Sequence, residues 1–575
     1  RRRQTEVLTA EPAPERRPRK QRHQMRQQHE AGDDGQNLDH RIGDQANLTR
    51  YPFPFVPPPG KGEQQNGTGK NDQCCEEVHI PDRLNTLPNE KKTTGGNISM
   101  SVANRQQAAT SGSYDPASAS LPTFHDAVPG FRDGSDSPRA YLERCLEVIE
   151  AREPEIQAWV TINRDGARTA ADAATDRYRA GRALSPIDGM PIGIKDLFMT
   201  KDMPTEMGSP LFKGNRTDSD SALVYGLRLA GAVVLGKTVT TELGFSHPGP
   251  TRNPFDTNRT PGGSSSGSAA AIGAGMVPAT IGSQVVGSVI RPASFCGNIA
   301  IKPTLGALNR GERAGGLSQS HIGVHAGSLE DMWAVAYQIA AKAGGDAGYP
   351  GLYGEEAPAA ARKPSHLVLL QTEGWEALDG TSRAAFEKVL DQLRRQDIQI
   401  LTRSDSPTID ACEVAIADSL KLARDICCWE LRWTLRNLAE KDESLMSESL
   451  KQRLALAEDM TLTDYRAALD QRERMRARFR ALAPFADGCI TLSSAGIAPP
   501  FDGSGAVGEP GITHQTGLPA FNAATSALGV PCVTLPLMAV NGMPLGVQLI
   551  GQAHRDQELT GIAAWMQQNV KPVSL

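Results

Sequence analysis

The stretch Gly262-Gly263-Ser264-Ser265-Ser266-Gly267-Ser268, continued to Gly287-Ser288-Val289-Ile290-Arg291-Pro292-Ala293-Ser294, decides how the rest of the chain is read. It crowds small residues and hydroxyls together, and Ala269-Ala270-Ala271-Ile272 directly after the serines predicts a buried helix with little side-chain bulk. Backbone at such a place can come close to whatever lies against it. Two uses fit: cradling an anion on bare N–H groups, or holding a serine nucleophile beside an oxyanion pocket.

Working outward toward the N-terminus, Ile187-Asp188-Gly189-Met190-Pro191-Ile192-Gly193-Ile194-Lys195-Asp196-Leu197-Phe198 reads as a hydrophobic strand with a lysine inside it. A buried ammonium must snorkel to water, pair with an acid, or give up its proton. Side chains alternate on a strand, so Asp196 points away and is not the expected partner of Lys195. Between the two stretches, Gly231-Ala232-Val233-Val234-Leu235-Gly236-Lys237-Thr238 matches the phosphate-binding G-x-x-x-x-G-K-T literally. That motif needs a strand before its first glycine and an exposed loop between the glycines. Here a predicted helix, Ser219 to Ala230, precedes, and the intervening Ala232-Val233-Val234-Leu235 is itself the strand. Nucleotide binding is therefore not expected.

Regular elements alternate over the remainder. Ser137-Pro138 is an N-cap with proline at the first helical position, and Tyr141, Leu142, Cys145, Leu146 and Ile149 then recur at helical spacing. Trp159 to Ile162 reads as a strand, Arg164 to Ala180 as a helix, Gly297 to Thr304 as a strand closing into a turn, and 328 to 342 as an amphipathic helix. Residues 344 to 363, rich in Gly, Pro and Ala, form a loop before a strand at His366 to Leu370. Helical periods dominate 382 to 483, where Trp429 and Trp433 fall on one face and are read as core. Strands return at Pro531 to Pro536 and Gly546 to Gly551, before a terminal helix. Strands alternating with helices without a linker-like break predict one large α/β domain.

The composition narrows the function. At 575 residues the chain can bury a large core, and its 39% hydrophobic and 22% charged residues are those of an ordinary globular protein. A formal net charge of -5 argues against a general nucleic-acid binder, which needs a basic face. No run reaches the roughly 18 apolar residues of a membrane span. The nine cysteines are scattered, with no C-x-x-C, so a reducing, cytoplasmic setting is expected and no zinc site. Cys145, Cys296, Cys412, Cys489 and Cys532 are read as small core hydrophobes.

Residues 1 to 99 lack sustained periodicity and are rich in Arg, Gln, Pro, Asn and Gly, so they are expected to be a disordered leader outside the native fold. Thr94-Gly95-Gly96-Asn97 can be encoded by a purine-rich string shortly before Met100, which makes Met100 the expected natural start. Residues 100 to 125 are expected to be a flexible linker, and 126 to 575 the catalytic domain. A chain begun at Met100 is then expected to keep its full turnover; loss of most activity on that truncation would put the leader inside the fold.

Taken together, Gly193-Ile194-Lys195-Asp196, Gly262 to Ser268 and Gly287-Ser288 before Arg291-Pro292-Ala293-Ser294 resemble the amidase signature family. The likeness covers nearly everything from about residue 126 onward. It implies an α/β/α sandwich with a large central mixed β-sheet, here with a helical insertion in the C-terminal half over 382 to 483 on the substrate side. It also implies a Ser-Ser-Lys set: Lys195 as base, Ser264 on a cis peptide as the bridging serine, and Ser288 as nucleophile. Backbone N–H groups of Val285, Val286, Gly287 and Ser288 would form the oxyanion pocket.

Serine needs a base to take its proton, usually histidine. His247, His321 and His325 have none of the flanking context of a triad, and a lysine desolvated between Ile194 and Leu197 can serve through Ser264 instead. Where many members of that family have Asp-x-Gly-Gly-Ser-Ile-Arg, this chain has Gln284-Val285-Val286-Gly287-Ser288-Val289-Ile290, with arginine displaced to Arg291. Acid and base have both left their usual places, and β-branched Val286 resists the unusual dihedrals that glycine accepts.

Two rival readings stand beside this one. Gly263-Ser264-Ser265-Ser266-Gly267 satisfies G-x-S-x-G, which would make Ser265 the nucleophile of a histidine-dependent esterase, but Arg252 to Pro261 before it is a loop rather than the strand that the elbow needs. The other is the amidase subunit of a tRNA-dependent amidotransferase, a member of the same family that works with partner chains and ATP. The main expectation is a free-standing amidohydrolase cleaving a linear carboxamide, an anilide, carbamate or urea-type bond included, to acid and amine. Its partner is a small-molecule amide, with no nucleic acid, no membrane, no cofactor and no metal, and a homodimer is admissible. Activity is expected to survive strong chelators and to need no ATP; restoration by zinc after EDTA would overturn this.

Overall fold

The computed structural model describes residues 113–245, 247–311, 317–502 and 514–575. The expected leader and residues 100 to 112 of the expected linker lie outside the described residues. The rest of that linker is not a linker: Tyr114 and Phe124 are buried, and the Tyr114 N–H donates to Gly542 O at 2.8 Å. Two aromatic side chains in a short segment supply enough apolar surface to hold it against the core, so the domain begins before 126.

One mixed sheet organises the described chain. Its strands are β1 (Trp159–Ile162), β2 (Pro191–Lys195), β3 (Val233–Thr238), β4 (Ala279–Gln284), β5 (Ile299–Lys302), β6 (His321–Ala326), β7 (His366–Leu369), β8 (Gln399–Leu401), β9 (Gly488–Leu492), β10 (Cys532–Val540), β11 (Met543–Ile550) and β12 (Val573–Ser574). They run in the order β1-β3-β2-β4-β6-β5-β10-β11-β9-β7-β8, with β12 alongside β10. β2 lies parallel between β3 and β4, whereas β10 is antiparallel to both β5 and β11. With helices flanking the sheet, this is the expected α/β architecture. The central strands are buried along their whole length, which explains why they read as continuous apolar runs rather than alternating ones.

Local differences from the sequence reading have local causes. The helix predicted from Ser219 starts at Ala222, because Asp220 is held by Arg228 Nε at 3.1 Å and by the Lys201 N–H at 2.9 Å outside the helix. The strand ending at Pro536 continues to Val540: proline has no N–H for the ladder, and the register shifts between Leu535 and Met538 to pass it. The helical region 382 to 483 is interrupted by β8, a short edge strand parallel to β7.

Trp429 and Trp433 are not core. Trp433 is 62% exposed, and Arg432 stands over both rings, 4.7 Å and 5.5 Å from their centroids. The seven cysteines among the described residues are free and buried. Among the described residues no helix is long and apolar enough to cross a membrane.

The literal G-x-x-x-x-G-K-T is a piece of the sheet. Lys237 sits inside β3, fully buried, with its Nζ 2.9 Å from Asp196 Oδ1 and 2.7 Å from Thr205 Oγ1. Gly236 is required by packing rather than by phosphate, since a Cβ there would lie 2.4 Å from Thr161 O. Burial pushes the Asp196 carboxyl up and Lys237 pulls it back. Replacing Lys237 by Met would strand a buried carboxylate, and a loss of about 3–5 kcal/mol in folding stability is expected. Adding Asp196→Asn should recover most of it. A Lys237→Met protein as stable as wild type in denaturant titration would contradict the pairing.

Candidate active site

Lys195 is the last residue of β2, at the C-terminal end of the parallel trio β3-β2-β4. It is fully buried, and four oxygens surround its Nζ: Ser264 Oγ at 2.7 Å, Ser265 Oγ and Ser283 Oγ each at 3.0 Å, and Ser283 O at 3.4 Å. Hydroxyl bookkeeping orders these contacts. Ser265 Oγ accepts from the Ser283 N–H and donates to Ser283 O, both at 3.2 Å, so it accepts from the lysine. A neutral amine spends its two N–H bonds on such acceptors and keeps one lone pair, which leaves it able to accept from Ser264.

Ser264 follows the glycine pair, and the Gly263–Ser264 peptide is cis. The small-residue run then forms the predicted buried helix, Ser266–Gly273. The Ser265 N–H donates to Ser288 O at 3.3 Å, which brings the Ser288 turn against the serine run. Ser288 is half-buried, and its hydroxyl hydrogen-bonds to none of the described residues. Lys195 and Ser264 are thus in contact, and the backbone brings the Ser288 turn beside the serine run, with no hydrogen bond between the Ser264 and Ser288 side chains among the described residues.

The turn after β4 is pinned at both ends. Gln284 Oε1 accepts from the Val289 and Ile290 N–H groups at 2.9 Å and 3.0 Å, and its Nε2 donates to Ser526 Oγ at 3.0 Å. Ser526 Oγ in turn donates to Val286 O at 2.8 Å. Between these anchors the N–H groups of Val285, Val286, Gly287 and Ser288 donate to no described residue. Neither Val286 nor Gly287 takes a positive φ, so the β-branched side chain is not forced into the left-handed region that it resists. Gly287 is needed for close approach, since a Cβ would lie 2.7 Å from Arg291 Nη1.

The neutral substitution at Gln284 works as a cap, without a counter-ion. Arg291 has not left the motif: its Nη2 donates to Gly263 O at 2.7 Å, on the carbonyl just before Ser264, and its Nε to Thr516 O at 2.7 Å. Sequence reasoning did not single out Ser283, Ser526 or this role of Arg291. Ser283 becomes visible only once β2 is known to lie beside β4, with Ile194 paired to Ile281.

His321 lines the same cavity as Ser264 and Ser283, but among the described residues no histidine ring hydrogen-bonds to a serine of the set. His321 Nδ1 donates to Gln284 O at 3.3 Å and His325 Nδ1 to Asn298 Oδ1 at 3.2 Å, and the Nε2 atoms of both have no hydrogen-bond partner. Burial, with Lys195 nearby, pushes His325 down to about 3. His247 contributes its carbonyl to the Glu242 N–H at 2.9 Å rather than its ring to the serines. Two cavities meet here: one of about 400 Å³ reaches Ser264 and Ser283, and one of about 80 Å³ reaches Ser288 and Gly287. They share Gly244, Phe245 and Val285. Of the helical insertion, only its later helices, Ser419–Asp442 and Glu448–Asp459, line them, and of the loop 344 to 363 the Asp346 to Tyr349 segment does.

The model of the Amidase family matches residues 140–560. The chain is 43% identical over 205 residues to the A-subunit of glutamyl-tRNA(Gln) amidotransferase from Chloroflexus aggregans (strain MD-66 / DSM 9485), a match that covers 34% of this chain and 42% of that one. It is 39% identical over 193 residues to the corresponding protein of Anaeromyxobacter sp. (strain K), covering 32% and 39%. The chain thus spans about two fifths of the length of these curated relatives. Among solved structures, a crystal structure of amidase superposes with TM-score 0.67 at 26% identity over 78% of this chain and 100% of that one. The peptide amidase PAM bound to the competitive inhibitor chymostatin gives 0.64 at 25% identity, over 78% and 98%.

Proposed function

Since this chain belongs to the Amidase family, whose members act on C–N amide bonds, we propose that it hydrolyses a small linear carboxamide through Ser288, with Ser264 and Lys195 moving the proton. The observation that carries this reading is the 2.7 Å contact of the buried Lys195 Nζ with Ser264 Oγ, beside consecutive N–H groups that have no acceptor among the described residues.

The steps follow from those atoms. Ser264 gives its proton to the Lys195 lone pair and takes the proton of Ser288, whose Oγ attacks the carbonyl carbon. The oxygen that becomes negative is met by N–H donors of the 285 to 288 turn, fixed in advance by Gln284 and Ser526. Collapse breaks the C–N bond, and the nitrogen leaves with a proton from Ser264 that Lys195 replaces. Water repeats the sequence on the acyl-enzyme and frees the acid.

Ser265 is a poor nucleophile here, since its hydroxyl is held by Lys195 and the Ser283 backbone. The larger cavity, lined by Leu197, Phe212, Leu243, Leu431 and Leu435, suits an apolar substituent on the amide. A second reading is favoured by the 43% identity over 205 residues: the chain works as the A-subunit of a glutamyl-tRNA(Gln) amidotransferase. Amine release by the purified chain alone, measured over aliphatic amides, anilides, ureas and carbamates, tests the first. Turnover that appears only with co-purifying partner chains or with aminoacyl-tRNA would transfer the reading to the second.

A further inference from the structure

An N–H can only stabilise a developing charge if it is aimed, and in a peptide the aim is set from behind. C=O and N–H of a trans peptide point in opposite directions, so a carbonyl that is held fixes the direction of the N–H on its other side. The peptides of the 285 to 288 turn are trans, the cis bond lying at Gly263–Ser264. Two successive carbonyls of that turn are held by buried side chains. Val286 O accepts from Ser526 Oγ at 2.8 Å, which directs the Gly287 N–H. Val285 O accepts from Gln319 Nε2 at 3.3 Å, which directs the Val286 N–H. Val286, Gly287 and Ser288 line the smaller cavity together, whereas Gln319 lines neither cavity.

Gln319 stands two residues before β6 and is fully buried. Its Nε2 also donates to Ala423 O at 3.2 Å and to Cys427 Sγ at 3.3 Å, both on the helix Ser419–Asp442. Three acceptors share two N–H bonds, so one bond is bifurcated. The same three acceptors fix which end of the amide faces the turn, because the reversed amide would set Oε1 against two carbonyl oxygens and a sulfur. As placed, Oε1 is buried with no hydrogen-bond partner. An orphaned buried acceptor is a cost that a leucine of comparable size would not carry, so packing alone does not select glutamine here. What glutamine adds is the donor to Val285 O.

We propose that Gln319 is a positioning residue: by holding Val285 O it aims the Val286 N–H at the oxygen that becomes negative when Ser288 adds to its substrate. This rests on the reading of Ser288 as nucleophile. With the side-chain donor gone, the Val285–Val286 peptide can turn and carry its N–H off that oxygen, while the walls that bind the uncharged substrate stay where they are. The covalent step then slows and the binding step does not.

The test uses the full chain and a small neutral fluorophosphonate. In that reaction the Ser288 Oγ–P bond forms, the P–F bond breaks, fluoride leaves, the serine proton passes through Ser264 to Lys195, and negative charge grows on the phosphoryl oxygen. Labelling followed to saturation separates the maximal rate of the covalent step from the concentration that gives half of it. Gln319→Leu should lower the maximal rate about thirtyfold, less than the loss on the order of 10²- to 10³-fold that follows deletion of such a donor, because the Val286 N–H is still present. The half-saturating concentration should stay within about twofold of wild type. If that variant does not fold, Gln319→Met, with a flexible side chain of similar length and no donor, carries the same expectation. An unchanged maximal rate in a folded variant overturns the proposal and leaves Ser288 as nucleophile. So does a change confined to half-saturation, or one shared equally by both quantities, since a wall residue or a general loosening of the site would produce these. If the wild-type chain is not labelled at Ser288, the nucleophile reading falls and the role of Gln319 falls with it.

Discussion

Ser288→Ala is expected to lower kcat on the order of 10⁶-fold, the loss that follows removal of a nucleophile whose remaining partners act only through it. The same change should abolish covalent labelling by a fluorophosphonate, with the label on the intact protein mapping to Ser288. The Ser288 hydroxyl is not tied to another described group, so its removal should leave the fold and its denaturation midpoint unchanged. Ser264→Ala should cost less, because a water in the vacated space can carry the proton between Ser288 and Lys195. A label on Ser265, or a Ser288→Ala enzyme within tenfold of wild type, would end this assignment.

Lys195→Ala should be nearly as damaging, about 10⁴-fold or more in kcat, since no base then takes the proton from Ser264. Lys195→Arg should fail too, because a guanidinium does not give up its proton. The sign of the pH dependence follows: the ammonium form cannot accept from Ser264, so the rate should fall as pH falls through the lysine's protonation. His325 cannot be the source of an acid limb near neutrality, being neutral at any pH well above about 3. The assay is a pH–rate profile of wild type beside His321→Gln and His325→Gln. If either histidine variant is dead while Lys195→Ala keeps most of its activity, a histidine-based hydrolase takes the place of this set.

Much of the site was legible because its residues carry costs that are visible in one dimension. A lysine within an apolar strand needs a special environment wherever the strand lies, and a run of glycines and serines marks close backbone approach wherever it folds. The failures share a cause. Asp196 was correctly excluded as a partner of Lys195, yet its partner Lys237 lies on β3, and a parallel register is not written in either strand alone. Trp429 and Trp433 have core periodicity but sit on a helix face where Arg432 stacks over both rings, Trp429 also stacking on Tyr465 and Trp433 facing outward. Tyr114 lies in a Ser- and Ala-rich segment, and it is the contacts of Tyr114 with Gly542 and Pro536 and of Phe124 with Asp331 that make that segment part of the domain.

By itself the sequence determined the fold class and the strands β1, β2, β3, β5, β7, β10 and β11 to within a few residues, and it marked Lys195 as a costly residue to bury. These depend on periodicity, on turn chemistry and on the expense of burying particular groups, which are local properties, whereas Ser264 and Ser288 were singled out by the resemblance of their stretches to a family's motifs. The tertiary structure alone decided what those residues face: the four oxygens around Lys195 Nζ, Gln284 as a neutral cap, and Arg291 turned onto Gly263 O beside Ser264. It also divided the space beside the serines into an apolar cavity and an arginine-lined one. Such arrangements depend on the register between strands and on helices that arrive from more than a hundred residues away, and no local pattern specifies either.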